Sequence, residues 1–542
     1  MEGERARSSV GASSSSAAAA AESSEPRVHP LFNVAVEDAE AVRLSRSLRD
    51  IQLPALEVDV GTESNPLDLL VVGCGPAGLA VAELAGKRGL RVAVVDPDPL
   101  RMWPANYGVW VDEFEAMGLA DCFDKTWEKA RVCMTEEENE RTGGVVLNRP
   151  YGMVNRAALK RRLLELSSQN GVMFAAGLVG GGEGDVVHAP GHSTVRCKGL
   201  PGGRTELVAR QVLDATGHSR RLVEFAEDFT PGYQAAYGAM LRVADNGHAF
   251  DPDEMFFMDW RDEHLEGDDK RGNAEEPTFL YTMPFSRTKL FVEETSLVAR
   301  PGVPFDELKD RLVKRLAYLG VKVEAFEEEE FCLIPMGGVL PKMPQRVLGI
   351  GGTAGMVHPS TGFMIARTLK SAPTLVDAIV GGMEAQREAG GAYDADEVSR
   401  RVWAQVWPEE EQRQRTFMVF GMEILLNMDV DATRRFFAGF FSLQDKQWGG
   451  FLSWRLSAVS LIGFGLSLFA ESSWRARLEI IVKALPFLPT FVSNFLGAKN
   501  AFESEPFGGI VSRESVPKLR GSPPDPQAIY ADGIKVEERV AN

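Results

Sequence analysis

The stretch "LDLLVVGCGPAGLAVAELAGKRGLRVAVVDPDP", residues 67–99, constrains the fold more than any other part of the chain. A short apolar run, Leu69 to Val72, leads into Gly73, Gly75 and Gly78, and an Ala/Leu-rich helical stretch follows to about Arg88. A second apolar run, Val92 to Val95, ends at Asp96. The order is strand, glycine loop, helix, strand, acid. Gly73 permits the tight turn, Gly75 lets backbone approach a pyrophosphate, and Gly78 lets helix and strand pack closely. Pro76 and Ala77 open the helix, whose free N–H groups and partial positive charge suit phosphates. Asp96, 18 residues beyond the last glycine, can accept hydrogen bonds from ribose hydroxyls. The segment predicts a dinucleotide-binding βαβ unit.

Composition narrows the class. The 542 residues are 44% hydrophobic with a net charge of −18, which suits a large globular chain and argues against a nucleic-acid binder. Five scattered cysteines form no CxxC pair, so neither a disulfide framework nor a structural zinc site is expected. The seven histidines show no HExxH or HxxxH spacing, and no metal is expected.

Residues 1–66 read as an N-terminal tail and lead-in. Within them "SSVGASSSSAAAAAE" (8–22), after Arg5 and Arg7, fits a targeting segment as well as a disordered tail. Residues 499–542 are Pro-, Gly- and charge-rich and read as a second tail. Between them no apolar stretch reaches the roughly 18 to 20 residues of a spanning helix. "LSAVSLIGFGLSLFA" (456–470) and "ALPFLPTFVSNFLGA" (484–498) come closest. With Arg455, Arg475, Arg477, Lys483 and Lys499 beside them, they suit contact with an anionic membrane surface. "FMVFGMEILL" and "FFAGFF" read equally as a helical cap on the nucleotide domain.

Two later segments choose between dinucleotides. "QVLDATGHSR" (211–220) is an apolar strand ending in Ala-Thr-Gly. "RVLGIGGTAGMVHPSTGFMIARTLKSAP" (346–373) is a strand, then glycines, then His358-Pro359, then a long helix. Backbone must come close to a flavin's ribityl chain and ring, and a helix N-terminus can stabilise negative charge on a reduced flavin. Three such segments fit FAD better than a nicotinamide cofactor.

With these motifs in hand, residues 65–498 resemble the plant and algal lycopene cyclases, which are FAD-containing carotenoid enzymes. The carriers, in the family's order, include "WPANYGVWVDEFEAMGL", "RPYGMVNRAALK", "PGYQAAYG", "FMDWRD", "PTFLYTMP", "FVEETSLVARPG" and "IPMGGVLP". "MDWRDEHL" and "ETSLVARPG" are closer to the β-cyclases than to the ε-cyclases. The resemblance implies an α/β fold: a Rossmann-type FAD domain of the flavin hydroxylase and geranylgeranyl reductase kind over 67–400, with segments near 67–160, 205–225 and 330–385. It is interleaved with an antiparallel-sheet substrate domain near 226–330, and followed by a membrane-contacting helical region, 401–498. The implied cofactor contacts are Gly73, Gly75, Pro76, Ala77, Gly78, Asp96, Arg156, Asp214, Gly217, Gly351, Gly352, Thr353, Ala354, His358 and Gly362. Flavin hydroxylases usually carry Gly-Asp where this chain has Gly351-Gly352, so the ribityl chain needs other partners, Thr353 among them.

The implied activity is ring closure of lycopene and other acyclic-ended carotenoids in a plastid, with NADPH as the source of electrons for FAD. Other carotenoid enzymes are implied as partners. The reaction is an isomerisation. An acid protonates the terminal double bond, the cation is attacked by the neighbouring alkene, and a base removes a proton. "TKLFVEETSL" (288–297) holds two adjacent carboxylates, Glu293 and Glu294, in a run that otherwise reads as a strand. Successive strand residues point to opposite faces, so the two cannot both meet substrate. The resemblance favours Glu293 as the acid and leaves Glu294 as supporting partner or base. Burial among Leu290, Phe291 and Val292 would hold the acid's proton near neutral pH. Asp259, Arg261 and Asp262 of "MDWRD" read either as proton-handling residues or as a structural ion pair. Phe256, Phe257, Trp260, Phe279 and Tyr281 are candidates for an apolar tunnel, and Tyr107 and Trp110 for a flavin or substrate wall. The competing reading is a flavin monooxygenase or reductase of a polyprenyl substrate; simple carotenoid or flavin binding leaves the paired acids without a task.

Overall fold

The computed structural model describes residues 27–28, 34–36 and 39–497, apart from 181, 183 and 226–230. The segment at 8–22, Lys499 and the tail at 499–542 lie outside the described residues.

Strand β1 (Leu67–Val72) is buried and runs into the glycine loop. Helix α1 (Pro76–Lys87) follows, with Pro76 at its first turn, where a missing N–H breaks no helical bond. β2 (Val92–Asp96) returns parallel to β1. Around this pair a sheet forms in the order Met173–Ala176, β2, β1, Glu206–Asp214, His192–Lys198, Leu178–Val179. Leu348–Gly349 joins it, parallel to the end of Glu206–Asp214. Segments far apart in sequence thus converge on one sheet, with the carboxyl ends of β1, Glu206–Asp214 and Leu348–Gly349 side by side. In open parallel sheets that end is where ligands bind.

The second sheet has nine strands. At its centre lies β3 (Gly232–Val243), flanked by β4 (Lys289–Ser296) and by β5 (Val323–Met336), both antiparallel to it. Between them in the chain, helix α2 (Phe305–Tyr318) packs on the face of β3 and β4 that carries Tyr237 and Glu294. Beyond β4 the sheet continues with Thr278–Pro284, Glu254–Asp259, Lys129–Cys133 and Val145–Leu147. Two pairings in it are parallel, Glu254–Asp259 with Lys129–Cys133 and β5 with Ala35–Val36. The boundary expected near 330 falls inside β5, which runs unbroken to Met336 because its pairing with β3 continues to the Gly232–Met336 register. Lys129–Cys133, inside the segment assigned to the nucleotide domain, likewise belongs to this sheet.

Helix α3 (Ile365–Ala389) packs on α1. The chain then becomes all-helical and ends in α4 (Ala458–Glu471), α5 (Trp474–Ala484) and α6 (Leu488–Leu496).

Candidate active site

One cavity of about 2820 Å³ joins the two sheets and the terminal helices. Ligand pockets are usually about 300–1,000 Å³, so this one has room for a dinucleotide and a long second molecule together. Its lining runs from the glycine loops, past Tyr107, Tyr281 and Glu293, to Phe440, Phe464 and Leu466.

Gly73, Gly75, Pro76, Ala77, Asp96, Gly217, Gly351, Gly352 and Gly362 all line it. Gly73 has φ +107° and a side chain there would put Cβ 2.6 Å from the Ala215 carbonyl oxygen. At Gly352 a Cβ would lie 2.8 Å from Gly217 backbone. Both loops therefore pack on the 215–217 turn at positions that only glycine fits. Asp96 accepts a 2.8 Å bond from the Cys74 N–H, which fixes the carboxylate at the end of β2. His218 Nδ1 and Thr368 Oγ1, both on lining residues, are buried polar atoms with no hydrogen-bond partner among the described residues. Burial pushes the His218 imidazole down to about 4, so it stays neutral. A backbone cradle that side chains would fill, with two orphaned polar atoms beside it, fits a flavin dinucleotide.

The remaining expected cofactor residues stand behind the cavity wall. Gly78 is buried where α1 packs on β1. Asp214 is fully buried and accepts bonds from Thr216, Leu222 and Val223, bracing the turn after its strand. Thr353, expected to meet the ribityl chain, instead donates to the Asp214 carbonyl at 2.6 Å, and Ala354 is buried beside it. Thr368, by contrast, is a lining residue, and its hydroxyl has no hydrogen-bond partner among the described residues. Arg156 is buried and clamps the 103–104 loop, donating to the Trp103 and Pro104 carbonyls and pairing with Glu328 at 2.8 Å. His358 is a core histidine: it bonds the Phe451 carbonyl at 3.0 Å, accepts from Ser360 N–H, and burial pushes it down to about 3.

The acids divide by strand alternation. Across the centre of the large sheet, Gly238 of β3 stands opposite Glu293 of β4 on one side and Glu330 of β5 on the other. In the next row on that face, Ala236 stands between Thr295 and Cys332. Glu293 and Glu330 both line the cavity. Thr295 donates to Glu293 at 2.6 Å. Burial, with the negative charge of Glu330 second, pushes the Glu293 carboxyl up from 4.5 to about 7. Tyr281 and Tyr151 stand near it, and burial holds both phenols well above their ordinary range.

Glu294 faces the other way. It is 0% exposed and forms a two-point pair with Arg315 of α2, 2.8 Å at each oxygen, plus a 2.6 Å bond from Thr278. Both oxygens are occupied on the face away from the cavity, so it cannot meet a substrate there. Asp259, Arg261 and Asp262 are also absent from the lining. Arg261 pairs with Asp259 at 2.5 Å and Glu136 at 2.8 Å, and Asp262 pairs with Arg434 at 2.7 Å. These are ion pairs that tie elements together. Of the aromatic candidates, Phe257, Phe279, Tyr281 and Tyr107 line the cavity, while Trp110 and Trp260 are buried outside it and Phe256 does not reach it. Much of the remaining aromatic wall comes from helices after 416, among them Phe417, Phe437, Phe440 and Phe464.

The lining also includes Leu466 of α4 and Leu488 of α6, which are exposed on the outside as well. Among the described residues, ten of the 15 exposed large hydrophobic residues lie between Val459 and Leu496, so the exposure is a patch rather than scatter. Leu466 is 68% and Trp474 67% exposed. Among the described residues no single helix is long and apolar enough to cross a membrane; α5 and α6 pass that test only together, bent by 73°. Arg455 pairs with Asp112, and Arg477 donates to the Phe469 and Ala470 carbonyls, so these two are engaged with the protein.

Comparison with known proteins matches this architecture. The model of the lycopene cyclase protein family matches residues 68–478. The chain is 49% identical over 452 residues to lycopene beta cyclase, chloroplastic/chromoplastic, of Capsicum annuum, covering 83% of this chain and 86% of that one. It is 49% identical over 449 residues to the chloroplastic lycopene beta cyclase of Arabidopsis thaliana, covering 82% and 86%. Among solved structures it is similar in fold to a geranylgeranyl bacteriochlorophyll reductase-like protein of Thermoplasma acidophilum. The TM-score is 0.53 at 16% identity, over 70% of this chain and 92% of that one. The chain belongs to the lycopene cyclase family.

Proposed function

We propose that this protein is a plastid lycopene β-cyclase, which closes the acyclic ends of lycopene into β-rings through γ-carotene to β-carotene. One observation carries the reading: a carboxyl that keeps its proton to about pH 7, Glu293, faces an aromatic-lined cavity continuous with a dinucleotide cradle.

Glu293 transfers its proton to the terminal double bond of the bound end group. The neighbouring alkene then attacks the tertiary cation and the six-membered ring closes. Loss of one ring proton to a carboxylate on the cavity face completes the reaction. No electron is gained or lost. The Glu293 carboxylate, once formed, is placed to take that proton, whereas Glu294 lies behind the sheet. Phe279, Phe437 and Phe440 exclude the water that would trap the cation. FAD, held by the loops at Gly73–Ala77, Gly217 and Gly351–Gly352, would in reduced form, maintained by NADPH, supply negative charge beside the cation.

The plastid location follows the names of the relatives. The exposed apolar surface of α4 to α6 surrounds residues that also line the cavity, which supports loading of a hydrocarbon directly from a membrane surface. The test is turnover of lycopene in liposomes by the purified flavoprotein, with the pigments separated and weighed by mass spectrometry. Products equal in mass to lycopene, and loss of turnover in Glu293→Gln with FAD retained, are expected. A gain of one oxygen or two hydrogens overturns the reading in favour of a monooxygenase or reductase.

A further inference from the structure

Glu330 is a cavity carboxylate that the reaction above does not require. It sits 37 residues beyond Glu293 in sequence but in the same row of the sheet, two strands away across Gly238. Two inter-strand spacings put the backbones about 10 Å apart, and both side chains rise on the cavity face. The residue between them, Gly238, contributes no side chain of its own. A Cβ at Gly238 would lie 3.1 Å from the Phe291 ring and 3.4 Å from a Glu293 carboxylate oxygen.

The two acids have different surroundings. Glu330 accepts from the Asn106 backbone N–H at 3.0 Å, from the Asn106 side-chain amide at 2.7 Å, and from the Cys332 thiol at 2.9 Å. Three donors hold its oxygens in place, whereas among the described residues the side-chain donor to Glu293 is Thr295. The other groups on this face do not supply a compensating charge. Tyr281, Tyr151 and Cys332 are held neutral by burial, and Arg156 is bound by Glu328.

We propose that Glu330 is a positioning residue of the cyclisation, a fixed anion held by Asn106 and Cys332 whose charge, facing Glu293 across Gly238, keeps the proton on Glu293. It deepens the cyclase reading and rests on it. Two like charges in one dry site cannot both stay ionised, and the better-solvated member takes the charge. Asn106 thereby acts on the acid through Glu330.

The test is an infrared pH titration of the Glu293 carboxyl in the full-length flavoprotein, its band identified by loss in Glu293→Gln. In Glu330→Gln the Glu293 midpoint falls by about one pH unit or more; in Glu330→Asp, which keeps the charge, it moves by less than about half a unit. Turnover follows the titration. The Glu330→Gln variant loses activity at lower pH than the parent as the medium turns alkaline. If Glu330→Gln does not accumulate as folded protein, Asn106→Ala tests the same claim: with the side-chain donor that fixes Glu330 gone, the Glu293 midpoint falls. An unchanged Glu293 midpoint in Glu330→Gln or in Asn106→Ala, or activity lost equally at every pH, overturns the inference. The infrared result is independent of ring formation, so it stands or falls separately from the cyclase reading.

Discussion

Replacing Glu293 by Gln removes a charge from the cavity and leaves the shape of the side chain. The structure sets both the sign and the size of the effect on stability. Burial raises the carboxyl in the folded protein from 4.5 to about 7. A group with a raised folded-state value contributes stability that is fully present below the unfolded value, near 4.5, and is lost as pH rises through the folded one. Between those limits the wild-type protein therefore gives up about 3 kcal/mol that a neutral amide does not. Thermal unfolding of both proteins, each at matched FAD content, reads this directly. At pH 4.5 the two should melt together. At pH 8.5 the Gln variant should be the more stable by about 3 kcal/mol, a few degrees in Tm for a chain of this size. Turnover should be abolished in the variant at both values. A Tm difference that does not grow with pH would show that Glu293 is an ordinary solvated carboxylate, and the proton-donor role would go with it.

Other perturbations reach different parts of the molecule. Arg315→Met leaves Glu294 buried without its two-point partner and should destabilise the fold by about 3–5 kcal/mol, measured by urea denaturation, with Glu294→Met in the same chain recovering most of the loss. Gly73→Ala drives a Cβ into the Ala215 carbonyl at a positive φ and should leave purified protein with little bound flavin by absorbance, while Gly89→Ala, in open space but also at positive φ, should retain it. Val459→Glu with Leu478→Glu on the exposed apolar helices should weaken liposome flotation by on the order of tenfold or more, with turnover of detergent-dispersed lycopene changed only a few-fold.

What could be read from the sequence was what short-range physics determines. The βαβ unit at 67–96 is legible because its turn, helix start and terminal acid are neighbours in the chain. The opposite facing of Glu293 and Glu294 is legible because strand alternation is local, and the structure puts one on the cavity and the other on Arg315. Glu330 was not found, although "FEEEEFCL" carried a signal. Alternation alone predicts that Glu328 and Glu330 share a face, but only the register of β5 on β3 says which face, and register depends on pairings across the sheet. "MDWRD" shows the opposite failure. Its three charges resemble a catalytic cluster until Glu136 and Arg434, more than 100 residues away, arrive to pair with them. The terminal helices are apolar in sequence, and the structure adds why. In α4 the buried face of Ala458, Leu461, Phe464 and Leu468 closes on the cavity and its neighbours, while Val459 and Leu466 remain outside.

The most direct measurement is a single turnover of lycopene in heavy water, with the flavoprotein in excess and the products weighed. A proton handed from a solvent-exchanged Glu293 carboxyl to carbon, followed by loss of a different ring proton, predicts one deuterium gained for each ring closed. It also predicts no NADPH consumed per ring. Rings that form without taking up deuterium, or with reducing equivalents consumed in proportion, would contradict it.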